Sequence, residues 1–215
     1  TTFLEYEQCC MAKMILVSAE DVYTIVARHD IGDGQAVEFT MTTIGADGGI
    51  VMGPRSIMEG IDKFYLLDVA WSGTTYCVAF TDHESEDVID DLMVAVVDQE
   101  GHILASQANC GVVYHVADGW FDASLTWTGS EFVIAFAEPD PPQVESPRRL
   151  VVTRLGADGN VLVDRKVLYE DQDVVAPRIA WSGSELGIAW TGPRVPENTS
   201  ADSRVYFAVA GCTEH

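Results

Sequence analysis

TWTGSEFVIAF, at residues 126–136, decides the fold of this 215-residue chain, because close copies of it recur elsewhere. The segment AWSGTTYCVAF occupies residues 70–80, and AWSGSELGIAW occupies residues 180–190. A degenerate copy, LVSAEDVYTIV, occupies residues 16–26. Repeats with a long, fixed spacing indicate one supersecondary unit that is used several times.

Four equivalent positions set the length of the repeat. We take them as Val17, Trp71, Trp127 and Trp181. They are 54, 56 and 54 residues apart, so four units account for nearly the whole chain. The predicted units span residues 11–64, 65–120, 121–174, and 175–215 together with 1–10, and they form one domain over residues 1–215.

Within each unit the apolar residues alternate with a period of two, as in Tyr76, Val78 and Phe80. This period is typical of half-buried β-strands. A Ser-Gly or Thr-Gly turn joins the first two strands, and a turn such as residues 156–159 joins the last two. Glycine in these turns supplies the positive φ that tight hairpins require. Each unit is therefore predicted to contain four antiparallel strands, A to D.

Four-stranded units in series predict an all-β fold, a four-bladed β-propeller. The last unit has only three strands, because strand C at residues 205–209 is followed closely by His215. An apolar stretch at residues 3–7 precedes the first strand A. We expect this N-terminal strand to complete the last blade and close the ring, which would hide two open sheet edges.

The repeat resembles those of the β-propellers of exported bacterial proteins. The shared pattern is Trp, Ser or Thr, Gly, two variable residues and an aromatic, followed by a short apolar strand and an Ala-Asp-Gly type turn. The resemblance covers essentially the whole chain and implies the propeller fold. It implies no single activity, because propellers host lectins, enzymes, scaffolds and metal sites alike.

The charge balance excludes several classes of partner. Twelve Lys and Arg stand against 34 Asp and Glu, which gives a net charge of −22. Such a surface repels phosphate backbones and anionic lipids, so we expect no nucleic-acid partner. The apolar runs are far shorter than the roughly 20 residues that cross a bilayer, so we expect no membrane insertion.

The first residue and the cysteines favour export. The chain begins at Thr1 without a methionine, and none of its five cysteines forms a C-x-x-C pair. We therefore expect a secreted or periplasmic protein with one or two disulfides. Closure of the ring would bring Cys212 near Cys9 and Cys10, so a bridge from Cys212 to one of them is predicted.

Candidate metal ligands lie in the long loops. The A–B and C–D turns form one end of the predicted fold, the turn end, and the longer, acidic B–C and D–A loops form the other, the loop end. Alignment of strand B places His29, Asp82 and Glu138 at one repeat position, with His83 at the next. Carboxylates with imidazole suit a divalent cation, either calcium or a transition metal. A solvated acidic rim is the alternative interpretation.

A second candidate site combines Tyr114, His115 and Trp120 in one long loop, where aromatic rings can stack on a sugar or an aromatic ligand. Burial of these rings as a plug is equally compatible with the pattern. The sequence carries no nucleophile, phosphate or dinucleotide motif. We therefore predict a module that binds a small ligand, a glycan or a protein partner at the loop end. The alternative is a metal-dependent enzyme that uses the same end.

Overall fold

The computed structural model describes residues 13–31, 36–61, 65–82, 89–104, 108–114, 123–139, 147–170, 174–193 and 203–211. In these segments the chain forms fifteen β-strands arranged in four antiparallel sheets. This confirms the all-β prediction. No helix in the described segments is long and apolar enough to span a bilayer.

Each sheet is built from strands that follow one another in the chain. Sheet 1 contains β1 (Met14–Ala19), β2 (Val22–Ile31), β3 (Ala36–Gly45) and β4 (Ile50–Ile61). Sheet 2 contains β5 (Tyr65–Trp71), β6 (Tyr76–Asp82), β7 (Ile89–Val97) and β8 (Ala108–Tyr114). Sheet 3 contains β9 (Ala123–Trp127), β10 (Glu131–Pro139), β11 (Arg148–Gly156) and β12 (Val161–Tyr169). Sheet 4 contains β13 (Val175–Trp181), β14 (Glu185–Pro193) and β15 (Ser203–Gly211).

Sheet 4 has three strands in the described part of the chain. The strand predicted to complete it, at residues 3–7, lies outside the described residues. Cys9, Cys10 and Cys212 lie outside them as well, so their predicted bridge stays a prediction. Each of the four sheets falls within one of the four predicted units.

The first repeat is aligned differently from the prediction. In the hairpin ladders Trp71 pairs with Tyr76, whereas Ser18 pairs with Tyr23. The equivalent of Trp71 is therefore Ser18, and the predicted choice of Val17 was wrong by one residue. Val17 and Trp71 both pack in the layer between sheets 1 and 2, although they occupy different repeat positions. Apolar character alone therefore cannot set the register of such a strand.

The turn glycines adopt the predicted backbone conformation. Gly73, Gly129 and Gly183 in the first turns have φ of 99°, 96° and 103°. The C–D turns use glycine in the same way, with φ of 81° at Gly48 and 85° at Gly101. The corresponding position of the first A–B turn is Glu20, at φ 53°, so this repeat holds a non-glycine residue in the left-handed region.

Three apolar layers lie between successive sheets. Phe39 of sheet 1 meets Phe80 of sheet 2 edge-to-face, with ring centroids 5.9 Å apart. Phe136 of sheet 3 belongs to the layer shared with sheet 2, and Trp190 of sheet 4 packs in the layer shared with sheet 3. Full burial of one such side chain stabilises the fold by roughly 1.5–3 kcal/mol. The sheets are thus held face to face, in chain order.

A polar contact also crosses the layer between sheets 1 and 2. The Tyr76 hydroxyl lies 2.6 Å from Thr24 Oγ1, and both residues are buried. Burial raises the pKa of Tyr76, while the hydrogen bond with Thr24 opposes that shift. The phenol therefore keeps its proton in the neutral range, and both hydroxyls have a partner in a layer that is otherwise apolar.

Candidate functional site

The predicted ligands of strand B occupy equivalent positions on three sheets. In the ladders of β2, β6 and β10, His29, Asp82 and Glu138 each lie six residues beyond the aromatic of the equivalent hairpin pair, which is Tyr23, Tyr76 or Phe132. The predicted alignment of strand B is confirmed. In the part of the chain that the structure describes, no three His, Cys, Asp or Glu side chains come close enough together to hold a metal ion.

The described side chains at this position have protein partners. His29 Nε2 lies 2.7 Å from Thr40 Oγ1 on the adjacent strand. Glu138 is buried, and its Oε2 accepts hydrogen bonds from Arg149 Nε at 3.1 Å and Nη2 at 2.8 Å. Arg165 Nη1 lies 3.6 Å from Glu138 Oε1. Within the structure as described, Glu138 is part of an ion-pair cluster with two arginines.

The remaining predicted site residues have no described side chains. His83, His115 and Trp120 lie outside the described residues. Asp82 ends β6 opposite Asp91, and Tyr114 ends β8 opposite Ile89, so for these two only the strand position is known. The metal site and the aromatic ligand site therefore stay predictions.

A different polar position, within the first strand of sheets 2, 3 and 4, connects these sheets. It lies three residues before the repeat tryptophan, on the innermost strand, and is occupied by Asp68, Ser124 and Arg178. Asp68 Oδ2 accepts hydrogen bonds from Leu125 N at 2.7 Å and from Ser124 Oγ at 3.2 Å. These bonds cross from sheet 2 to sheet 3.

The same contact is repeated at the next junction. Ser124 Oγ accepts a hydrogen bond from Ile179 N at 3.4 Å, which joins sheet 3 to sheet 4. Asp68 also accepts a hydrogen bond from its neighbour Val69 N through Oδ1, at 2.9 Å. Both oxygens of the Asp68 carboxylate are therefore engaged by protein donors. Arg178, the residue before Ile179, donates a hydrogen bond from its Nη1 to Pro177 O at 2.8 Å.

Lys13, which precedes the first strand of sheet 1, contacts sheet 2 at this position. Its Nζ donates to Leu67 O at 2.7 Å, next to Asp68. Much of the Lys13 surface is exposed, but partial burial of its ammonium group still lowers the pKa of that group. The negative charge of Asp68 raises this pKa by a smaller amount, and the positive charge of Arg178 lowers it further. Lys13 therefore contacts sheet 2 beside the repeat position that Asp68, Ser124 and Arg178 share. We call Lys13, Asp68, Ser124 and Arg178 the inner cluster.

Sequence analysis missed the inner cluster, although a signal for it exists. Asp68, Ser124 and Arg178 are polar residues at one repeat position inside strands that are otherwise apolar. A repeat position with this character indicates a shared role. The neighbour Lys13 carries no comparable signal, because it precedes β1 and meets Leu67 only through the packing of two sheets.

Comparison with known proteins identifies the fold. The β-propeller domain of the trilobed protease from Pyrococcus furiosus, which has an open velcro topology, matches with a TM-score of 0.50 and 12% identity over 95% of this chain. A thermostable family-43 glycoside hydrolase matches with a TM-score of 0.50 and 10% identity over 93% of the chain. The chain spans 59% of the protease domain and 69% of the hydrolase.

These likenesses show the fold alone, and that fold is the β-propeller. No protein-family model and no curated protein sequence matches the chain. The activity must therefore be argued from the residues of the site, because unrelated functions share this architecture.

Proposed function

We propose that the chain is an exported binding module that holds its ligand or protein partner at the loop end, where an anionic group of the partner contacts Lys13 and Arg178. The observation that carries the proposal is the set of hydrogen bonds at the inner cluster: Lys13 Nζ donates to Leu67 O beside Asp68, and Ile179 N, next to Arg178, donates to Ser124 Oγ, which itself donates to Asp68. Two cations held at one polar position favour an anion, because the anion offsets their repulsion.

The hydrogen bonds already made at the inner cluster favour an anionic ligand over a cationic one. The Asp68 carboxylate accepts bonds from Val69 N, Leu125 N and Ser124 Oγ. An ammonium group has three donors and a guanidinium has five, so Lys13 and Arg178, each with one hydrogen bond among the described residues, keep donors for a ligand. Charge-assisted bonds from such donors to a carboxylate are roughly twice as strong as neutral ones.

The first experiment measures binding of D-glucuronate and succinate by calorimetry, with D-glucose as the uncharged counterpart. We expect saturable binding of the two carboxylates, at least about tenfold tighter than glucose, which corresponds to about 1.4 kcal/mol. Arg178→Gln should weaken carboxylate binding by about the same factor. The matched control is Arg204→Gln, an exposed arginine on β15 of the same sheet, which should bind as the unchanged protein does. Equal affinities of the two variants, or no preference for the carboxylates, would contradict the proposal.

We also propose that the four sheets are the blades of a closed four-bladed propeller, with residues 3–7 as the fourth strand of the last blade. Two exposed apolar faces support closure. On sheet 4, Val205, Phe207 and Val209 are 76%, 68% and 52% exposed. On sheet 1, Leu16 and Tyr23 are 64% and 47% exposed. In a closed ring these two faces would cover one another.

Closure has a measurable consequence for Val209. If the faces meet, Val209→Ala removes buried methyl groups and should lower the free energy of unfolding by about 1.5 kcal/mol, as estimated from the area rule. Val161→Ala is the control, because Val161 lies at the start of β12 and is 41% exposed. If both substitutions change stability by less than about 0.5 kcal/mol, as surface substitutions do, the ring is open in solution.

A further inference from the structure

A groove of about 510 Å³ lies between sheets 1 and 2 at the turn end. Its walls come from the β1–β2 turn, from β3 and β4, from the ends of β5 and β6, and from the turn that follows β7. Ligand sites of small molecules have volumes of roughly 300–1,000 Å³. The groove is therefore large enough for a small ligand, and none of the predicted site residues lines it.

Two aromatic rings form one side of the groove. The rings of Trp71 and Tyr76 lie 4.4 Å apart, centroid to centroid, at an angle of 38°. The indole Nε1 of Trp71 is buried and has no hydrogen-bond acceptor among the described residues.

The first repeat departs from its pattern where it borders this groove. The other first turns carry Gly-Thr or Gly-Ser at the two central positions, such as Gly73 and Thr74, whereas this one carries Glu20 and Asp21. Glu20 adopts φ 53°, a region that costs a non-glycine residue roughly 1–2 kcal/mol. Two carboxylates therefore replace a strain-free glycine and a neutral side chain at the mouth of the groove.

Charge at the groove is mainly negative. Glu20, Asp21 and Glu100 line it, against the single cation Arg55. Arg55 is already engaged, because its Nη2 is hydrogen-bonded to His102 Nε2, and His102 Nδ1 lies 3.0 Å from Asp98 Oδ2. The carboxylates and the π faces of the rings both attract positive charge.

We propose that this groove binds a small organic cation. The cationic group lies between the carboxylates of Glu20, Asp21 and Glu100 and the ring of Trp71. This site is independent of the anion site proposed at the inner cluster, since the two share no residue and select opposite charges.

Choline is a suitable probe of this chemistry, because it is a small quaternary ammonium compound that carboxylates and aromatic rings both attract. Its uncharged analogue of the same shape is 3,3-dimethylbutan-1-ol. The readout is the indole N–H resonance of Trp71 in a ¹⁵N-labelled protein, assigned by comparison with Trp71→Phe. We expect choline to shift this resonance saturably, and the neutral alcohol to bind at least about tenfold more weakly.

Matched charge variants locate the site. The groove variant combines Glu20→Gln, Asp21→Asn and Glu100→Gln. The control variant combines Asp164→Asn, Glu170→Gln and Glu185→Gln, three exposed acids of sheets 3 and 4 and of the segment between them. We expect about tenfold weaker choline binding in the groove variant only. The proposal is overturned if the two variants bind equally, if the alcohol binds as tightly as choline, or if the Trp71 resonance does not move.

Discussion

Replacement of Arg149 by methionine should destabilise the protein by about 3 kcal/mol, because it leaves the carboxylate of Glu138 buried without its close partner. The Glu138 side chain is 3% exposed and that of Arg149 is 26% exposed. Arg165 lies farther from the carboxylate, at 3.6 Å, and its side chain is 51% exposed, so it compensates only in part. Urea unfolding of Arg149→Met measures the loss directly.

Two further variants separate this ion pair from general effects of losing an arginine. In the double variant Glu138→Met with Arg149→Met, most of the stability should return, because apolar side chains replace a buried ion pair at little cost. The second pair on the same two strands, Arg154 with Glu131, is more exposed, with side chains 47% and 12% exposed. Arg154→Met should therefore cost less than about 1 kcal/mol. Equal losses for Arg149→Met and Arg154→Met, or a double variant weaker than Arg149→Met, would refute the explanation.

The strands could be predicted from the sequence because successive side chains of a strand face its two neighbouring sheets in turn. In β6 Tyr76, Val78 and Phe80 belong to the layer shared with sheet 1, while Cys77 and Ala79 belong to the layer shared with sheet 3. That alternation is a local property of the chain. The turn glycines are equally local, since a positive φ is set by four consecutive residues.

The candidate sites could not be predicted in the same way, because their contacts join separate repeats. The inner cluster depends on hydrogen bonds between neighbouring sheets, such as those from Leu125 N to Asp68 Oδ2 and from Ile179 N to Ser124 Oγ. The groove depends on the gap between two sheets and on departures such as Glu20, which the pattern of alternation treats as a poor match. Comparison of the four repeats therefore predicts the fold, but it does not identify a role for the residues that differ between the repeats.

Gly101→Ala should destabilise the protein by about 2–3 kcal/mol, from two causes that act together. Gly101 has φ 85°, where an L side chain is strained. It is also buried at the junction of two sheets, where a Cβ would lie 3.0 Å from Ile57 Cγ2 and 3.3 Å from Arg55 Cδ on β4. Ile57 is 7% exposed and has little freedom to move away.

Gly48→Ala separates the two causes. Gly48 occupies the matching turn of sheet 1 with φ 81°, and a Cβ there meets nothing within 4 Å. Its substitution should cost only the backbone strain, about 1 kcal/mol. The excess at Gly101 reports the packing of the sheet 2 turn against β4, so truncation by Ile57→Ala should be less costly in the Gly101→Ala background than in the unchanged protein. Equal losses at Gly48 and Gly101 would mean that this turn does not press against sheet 1 in solution, and that the wall of the groove formed by Arg55 and Glu100 is free to open.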